Sequence, residues 1–227
     1  MSIKKKIFKT ILVLLATVLL YVLKEKSFFF KVKEGNKYDV VLEELLKPIT
    51  HFLTQNLTYR NFSIIYSGVL LDMWYIMFLI IFTYRGLGFQ EIVSFVLFYG
   101  LRAVFMNCFE FDHPDMNFNE NDPGFFSVVA PHGRTADYFY SGHTGFSLLC
   151  TLFLYKYNHK KLFYAGLIVT LIQMVFITIS RCHYSIDAYI GFVAAHYIFI
   201  ISPFFGKILN TILPIFYDER ISLTSFT

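Results

Sequence analysis

The chain has 227 residues, of which 56% are hydrophobic, 20% aromatic and only 16% charged, whereas soluble proteins average about 25% charged residues. This composition excludes an ordinary soluble domain and predicts an all-α, polytopic membrane protein. The net charge is +4, but the basic residues do not form a face with interspersed aromatic residues of the kind that binds nucleic acid. We therefore expect no nucleic-acid partner.

Six apolar stretches approach the length of about 20 residues that a membrane-spanning helix requires. The first, residues 7–23, follows a lysine cluster and lacks a small-residue cleavage site, so we interpret it as an uncleaved anchor. The other five are residues 61–84, 88–108, 141–157, 162–180 and 188–205. The sequence therefore predicts a six-helix transmembrane bundle.

Two polar segments separate these spans. In residues 24–60, apolar side chains recur at helical spacing, which predicts an interfacial amphipathic helix started or interrupted by Pro48. Residues 109–140 contain several turn signals with proline. The acidic cluster at 110–115 has residue types that suit a divalent cation, but we interpret it as part of a solvated loop.

Charge in the loops predicts the orientation of the chain. The basic residues at 4–6 and 156–161 should be cytosolic, because short cytosolic loops are enriched in lysine and arginine. Two glycosylation sequons, at 56–58 and 61–63, fall in a segment that this topology places on the lumenal or extracellular side. The start of the fourth span and the end of the fifth face that same side.

Two histidines and an aspartate are expected in this lumenal layer. His143 follows Ser141 and Gly142 at the start of the fourth span, and His183 follows the end of the fifth. Asp187 is four residues after His183, so on a helix beginning near residue 182 the two side chains share a face. A carboxylate there fixes the tautomer of the imidazole and leaves its other nitrogen to act as a nucleophile or base.

The same layer contains groups that suit a phosphate. Arg181 carries a permanent charge that forks onto phosphate oxygens, and the helix start at Ser141 and Gly142 offers N–H groups that favour anions. If one histidine attacks phosphorus while the other protonates the leaving oxygen, the set performs phosphoryl transfer without a metal or other cofactor. We interpret each remaining histidine as a polar anchor.

Four further residues are candidates for the site. Arg102 and Asp72 are ionisable groups within predicted spans, where such groups are usually paired or functional. We expect Arg102 to line the active-site cavity and Asp72 to be its partner or a structural polar contact. Asp137 and Tyr138 suit recognition of a choline, because quaternary ammonium groups favour aromatic faces and a nearby carboxylate. An interfacial aromatic belt explains the tyrosine equally well.

Two segments resemble the signature segments of a known family. They are "DYFYSGHTGFSLLCTLFLYKY", residues 137–157, and "HYSIDAYIGFVAAHY", residues 183–197. Both resemble the lipid phosphatase and phosphotransferase superfamily, related to type 2 phosphatidic acid phosphatases, and more narrowly its sphingomyelin synthase-like branch. A weaker similarity lies in "FYGLRAVFM", residues 98–106, where Arg102 matches an arginine in the third span of that branch.

The resemblance implies six spans, cytosolic termini and a lumenal triad. In that scheme His183 attacks phosphorus, Asp187 orients it, and His143 protonates the departing diacylglycerol. The implied reaction moves phosphocholine from phosphatidylcholine to ceramide, or to diacylglycerol as in a similar plant group. These membrane lipids are the expected partners, and an oligomer is compatible with the sequence. The expected location is the endomembrane system (endoplasmic reticulum or Golgi) or the plasma membrane.

On this basis we divide the chain into two parts. Residues 1–60 form an N-terminal anchor helix and a lumenal interfacial segment, and residues 61–227 form a sphingomyelin synthase-like catalytic transmembrane domain. Arg181 lies two residues before His183, whereas the phosphatases have an arginine six residues before, and Arg102 is not followed by proline. These departures favour a transferase. The alternatives are a lipid phosphate phosphatase acting on phosphatidic acid-type monoesters and a non-catalytic lipid-binding or lipid-moving protein, against which the intact triad argues.

Overall fold

The computed structural model describes residues 41–85, 89–108 and 139–212, together with Ile11 and Asp39. All regular structure within these residues is helical, which confirms the all-α prediction for this part of the chain. A π-helix, Val41–Leu45, is followed by α1 (Lys47–Gln55), α2 (Leu57–Arg85), α3 (Phe89–Cys108), α4 (Gly142–Lys156), α5 (Lys160–Ile179) and α6 (Ser185–Ile212).

Three of the described helices are long and apolar enough to cross a membrane, which indicates an integral membrane protein. The apolar stretches are Leu57–Tyr84, Lys160–Ile179 and Ser185–Leu209, in α2, α5 and α6. Large apolar side chains on these helices stay exposed at helical spacing, as lipid-facing residues do: Ile76 and Ile80 on α2, Ile168, Leu171 and Val175 on α5, and Tyr197, Ile200 and Phe204 on α6. The predicted first span, residues 7–23, lies outside the described residues except for Ile11.

The third and fourth predicted spans form α3 and α4, which are not among these three apolar helices. Both Glu91 and Arg102 on α3 are buried. The 15 residues of α4 extend only about 22 Å at 1.5 Å per residue, less than a hydrocarbon core of about 30 Å. Ten of those 15 residues are buried, because α4 is the central helix and packs against α5, α6 and α3. Most of its side chains therefore contact other helices instead of lipid.

The predicted amphipathic helix is divided into two pieces. The π-helix ends at Leu45, and α1 begins with Pro48 in its first turn, where a proline is tolerated because the first N–H groups of a helix have no helical acceptor. Leu42 and Leu53 are buried, whereas Phe52 is exposed. The predicted division after residue 60 falls within α2.

Glycines allow α4 and α6 to approach each other backbone to backbone. A Cβ atom at Gly191 of α6 would lie 2.5 Å from the carbonyl oxygen of Ser141, and one at Gly145 of α4 would collide with the ring of Phe98 and lie 3.0 Å from the carbonyl oxygen of Gly191. No larger residue fits at either position without a shift of the backbone.

A polar cluster joins α3, α4 and α6 at the end of the bundle remote from His143. Lys156 lies 3.5 Å from the fully buried carboxylate of Glu91, and Tyr157 donates a hydrogen bond to the same carboxylate. Lys156 also donates to Gln90, whose Nε2 donates to Ser202 Oγ at 3.1 Å. These contacts fix the relative positions of the three helices that converge at the other end.

Candidate active site

The start of α4 is joined directly to the first turn of α6. Ser141 caps α4, with its Oγ accepting a hydrogen bond from Thr144 N at 3.4 Å, as serine does at this position in many helices. The backbone N–H of Ser141 donates to the carbonyl oxygen of Asp187 at 3.0 Å. This bond fixes His143, in the first turn of α4, beside the turn that contains Asp187.

A tight turn at the end of α5 determines where His183 lies. Arg181 has a φ of 57°, in the left-handed region that often ends a helix. The N–H of Arg181 donates to Thr178 O at 3.0 Å, and the N–H of His183 donates to Ile177 O at 3.1 Å. The chain thus folds back on the last turn of α5, and α6 begins only at Ser185. A helix beginning near residue 182, which would place His183 and Asp187 on one helix face, does not form, because the left-handed turn delays the helix start to Ser185.

His183 nevertheless reaches Asp187 from this turn. The two side chains are buried, with 4% and 0% exposure, and His183 Nδ1 lies 3.6 Å from Asp187 Oδ2. That distance is slightly longer than a hydrogen bond and within the range of an ion pair. Tyr184 N donates to the same Oδ2 at 3.2 Å, which holds the carboxylate in position. Since Nδ1 faces the carboxylate, the Nε2 atom lies on the opposite side of the ring, away from Asp187.

The second histidine lies beside the first. The ring centroids of His143 and His183 are 5.8 Å apart, and the ring planes are inclined at 71°. His143 is only partly buried, so it is the more accessible of the two. The structure therefore brings together a buried His–Asp pair and a more open histidine, with their rings 5.8 Å apart.

Arg102 lies against the N-terminus of α4. Its Nε donates to Tyr140 O at 2.6 Å, and a Cβ atom at Gly142 would lie 3.5 Å from that Nε. Burial raises the pKa of Tyr140, so its hydroxyl stays protonated and donates to Phe98 O at 2.6 Å. The guanidinium and the helix N-terminus place positive charge together, an arrangement that favours an anion.

Arg181, the other predicted phosphate ligand, is paired within the protein. Its Nη1 lies 3.0 Å from Glu43 Oε1 of the π-helix. Among the residues that the structure describes, its Nε, Thr144 Oγ1 and Asp187 Oδ1 are buried near the site and have no hydrogen-bond partner. Buried polar atoms are nearly always hydrogen-bonded, so these three have unused capacity for a polar ligand.

The structure thus gathers Ser141, Gly142, His143, Arg102, Arg181, His183 and Asp187 at one end of the bundle. Asp137 and Tyr138, and the acidic cluster at 110–115, lie outside the described residues. Asp72 lies half-buried on α2. Within the described ranges no group of three or more histidine, cysteine or acidic side chains has a geometry suited to a metal ion.

Sequence reasoning missed three charged residues at this end of the bundle. Asp39, Glu43 and Arg60 each contact the turn that contains His183, and Arg60 is 1% exposed with its Nε donating to Ser180 O at 2.9 Å. In the sequence, Arg60 is indistinguishable from a basic residue that flanks a membrane span. No local pattern marks its contact with a residue 120 positions away.

Comparison with known proteins gives one finding that bears on this site. Residues 135–204 match the family model described as "PAP2 superfamily C-terminal", a range that includes both histidines and Asp187. No curated protein and no solved structure matches the chain. The match supports the predicted relation to the lipid phosphatase and phosphotransferase superfamily, and it suggests a function of the lipid phosphatase or phosphotransferase type.

Proposed function

We propose that the protein is a phospholipid head-group transferase, which moves phosphocholine from phosphatidylcholine to ceramide or diacylglycerol through a phosphohistidine. The observation that carries the proposal is the 5.8 Å separation of the His143 and His183 rings, with Asp187 behind His183. The match over residues 135–204 supports the reaction type. In the proposed topology this end of the bundle faces the lumen or the cell exterior.

In the first half-reaction, Nε2 of His183 attacks the phosphorus of the donor lipid. The bond between phosphorus and the diacylglycerol oxygen breaks, and His143 donates a proton to that oxygen. Asp187 holds the imidazole of His183 and stabilises its positive charge. Arg102 and the N–H groups at the start of α4 stabilise the negative oxygens around phosphorus, where preorganised donors act most strongly.

In the second half-reaction, His143 acts as a base. It takes the proton from the hydroxyl group of the acceptor lipid while the hydroxyl oxygen attacks phosphorus, and the bond between phosphorus and His183 breaks. The head group is now on the acceptor, and both histidines have returned to their initial protonation states. The same residue thus serves as acid and then as base, as microscopic reversibility requires.

A lipid phosphate phosphatase is the second candidate function. The observation that favours it is the description of the matching family model, which names a superfamily that includes phosphatases. The histidines and Asp187 serve hydrolysis equally well, with water in place of the acceptor hydroxyl. The two functions differ in the second half-reaction, where the acceptor is either a lipid or water.

A lipid conversion assay tests the proposal against this alternative. Purified protein in detergent receives phosphatidylcholine labelled in its head group, with ceramide or a diacylglycerol whose acyl chains differ from those of the donor as acceptor, and His183→Ala is the control. A parallel sample receives phosphatidic acid. We expect label on one of these acceptors with the wild-type protein and none with the variant. If neither acceptor gains label while phosphatidic acid loses phosphate, the hydrolase function replaces the transferase.

A further inference from the structure

The carboxylate of Asp39 joins two segments that are far apart in the sequence. Its Oδ2 accepts a hydrogen bond from Ser185 N at 2.7 Å, and its Oδ1 accepts from Ser185 Oγ at 2.8 Å. Oδ1 also accepts from Val41 N at 3.0 Å and Leu42 N at 3.3 Å. One side chain therefore caps both the π-helix and α6, as aspartate does at helix N-termini.

The capped residue lies between the two members of the His–Asp pair. Ser185 follows His183 by two residues and precedes Asp187 by two. It is the first residue of α6, so its position sets the direction in which the first turn of the helix leaves the preceding chain. Tyr184 N, the neighbour of Ser185, donates the hydrogen bond that holds the Asp187 carboxylate. A shift of Ser185 therefore moves both the backbone and this hydrogen bond, and so changes the distance between His183 and Asp187.

Two further contacts join the same turn to the N-terminal part of the chain. Glu43 forms the ion pair with Arg181 at 3.0 Å, and the buried Arg60 donates to Ser180 O at 2.9 Å. Residues 180–185 are thus held by three charged side chains, two at the start of the segment and one at its end. All three precede residue 61, where the sequence suggests that the catalytic domain begins.

We propose that Asp39 is a positioning residue of the active site, which acts through Ser185 to hold His183 and Asp187 in register. This inference rests on the proposed function, because it assigns Asp39 to the phosphohistidine chemistry of that pair. The segment from Asp39 to Leu46 is then part of the catalytic unit. Reacting groups in enzymes must be held closely, and a displacement of about 1 Å can lower the rate about 100-fold.

The experiment compares the full-length protein with Asp39→Ala, Asp39→Asn, Ser185→Ala and the double variant that combines Asp39→Ala with Ser185→Ala. Glu44→Ala is the matched control, since it removes an exposed carboxylate from the same π-helix. For each protein, kcat and KM for head-group transfer are measured per folded molecule. Hydrogen–deuterium exchange of the peptide covering residues 183–187 is measured in parallel and needs no turnover.

We expect Asp39→Ala to lower kcat roughly 10- to 100-fold by misplacing the pair, with KM little changed. The double variant should lose no more than Asp39→Ala alone, because the Ser185 hydroxyl contributes only through Asp39 and the two effects are not independent. Asp39→Asn retains one acceptor oxygen and should lose only part of kcat. Exchange at residues 183–187 should increase in Asp39→Ala and stay at the wild-type level in Glu44→Ala.

Wild-type kcat in folded Asp39→Ala, or in Asp39→Asn if the alanine variant does not fold, would overturn the inference. Losses that multiply in the double variant would overturn it as well, because they place the two residues in separate roles. Unchanged hydrogen–deuterium exchange at residues 183–187 in Asp39→Ala would also overturn the inference, and this measurement does not depend on activity. If the wild-type protein transfers no head group, the proposed function fails, and the exchange measurement alone then decides whether Asp39 holds the turn.

Discussion

The backbone N–H of Ser141 donates a hydrogen bond to the carbonyl oxygen of Asp187 at 3.0 Å. This single bond connects the residue that caps α4 with the first turn of α6, and so connects His143 with the His183–Asp187 pair. The carbonyl oxygen of the same Ser141 faces Gly191 of α6 at a distance that leaves no room for a side chain. These backbone contacts fix the position of His143 relative to Asp187.

Gly191→Ala is expected to lower the rate of turnover by up to about 100-fold, because the added methyl group pushes Ser141 and therefore His143 out of place. Gly100→Ala on α3 is the matched control. A Cβ atom there meets nothing within 4 Å, so alanine should be neutral or stabilise the helix by up to about 1 kcal/mol. Steady-state rates and thermal unfolding in detergent measure both effects. Equal rates in the two variants would contradict the close approach at Gly191.

Asp187→Asn is expected to leave expression intact and to lower the rate by about 10²–10⁴, the range for loss of acid–base assistance. The amide cannot stabilise the positive charge that develops on His183. His183→Ala should remove all turnover, because no phosphohistidine can form. Initial rates of head-group transfer, corrected for the amount of folded protein, provide the measurement. A wild-type rate in either variant is incompatible with the proposed triad.

Arg102→Met is expected to abolish turnover, since the guanidinium beside Gly142 stabilises charge on the phosphoryl group. Arg102→Lys keeps the charge but loses the forked donors that bind two phosphate oxygens at once, so we expect a partial rate. Binding of the donor lipid and the thermal unfolding temperature are measured for both variants. A lower unfolding temperature indicates that the variant is destabilised, whereas weaker lipid binding at an unchanged unfolding temperature indicates a defect in the site. Normal turnover in folded Arg102→Met would remove Arg102 from the mechanism.

The proposed lumenal position of the site is tested by cysteine labelling. Cys108 is exposed at the end of α3 and Cys182 is partly exposed in the site turn, whereas Cys150 is buried. A membrane-impermeant maleimide should label the first two in microsomes only after the membrane is permeabilised, and it should not label Cys150. Lys160→Cys, combined with Cys108→Ser and Cys182→Ser, is the control that should be labelled in sealed microsomes. Labelling of Cys108 in sealed microsomes would contradict the proposed topology and place this end of the bundle on the cytosolic side.

The sequence predicted what depends on local patterns. Apolar runs located the helices α2 to α6, and short motifs identified His143, His183 and Asp187 as one set. The run in α4 did not distinguish burial within protein from exposure to lipid, because both environments select the same apolar residues. The start of α6 at Ser185 was not predictable either, since Arg181 takes a left-handed conformation that is usual for glycine.

Polar contacts between residues far apart in the chain could not be predicted from the sequence. Asp39 and Ser185 are 146 positions apart, and Arg60 and Ser180 are 120 positions apart. A single charged residue in a polar segment gives no periodicity and no motif, so its partner is set only when the helices pack. For this reason the residues that hold the site turn were found in the structure, whereas those that we propose to carry the chemistry were found in the sequence.

The most direct test of the central claim is to trap the phosphoenzyme. The protein is mixed with phosphatidylcholine labelled at phosphorus, without an acceptor lipid, then denatured in alkali and mapped by peptide. We predict label on the peptide that contains His183, labile to acid and stable to base, in an amount that matches the first burst of diacylglycerol, and no label in His183→Ala. Label on the His143 peptide, or continued turnover without any labelled protein, would contradict the assignment of His183 as the nucleophile.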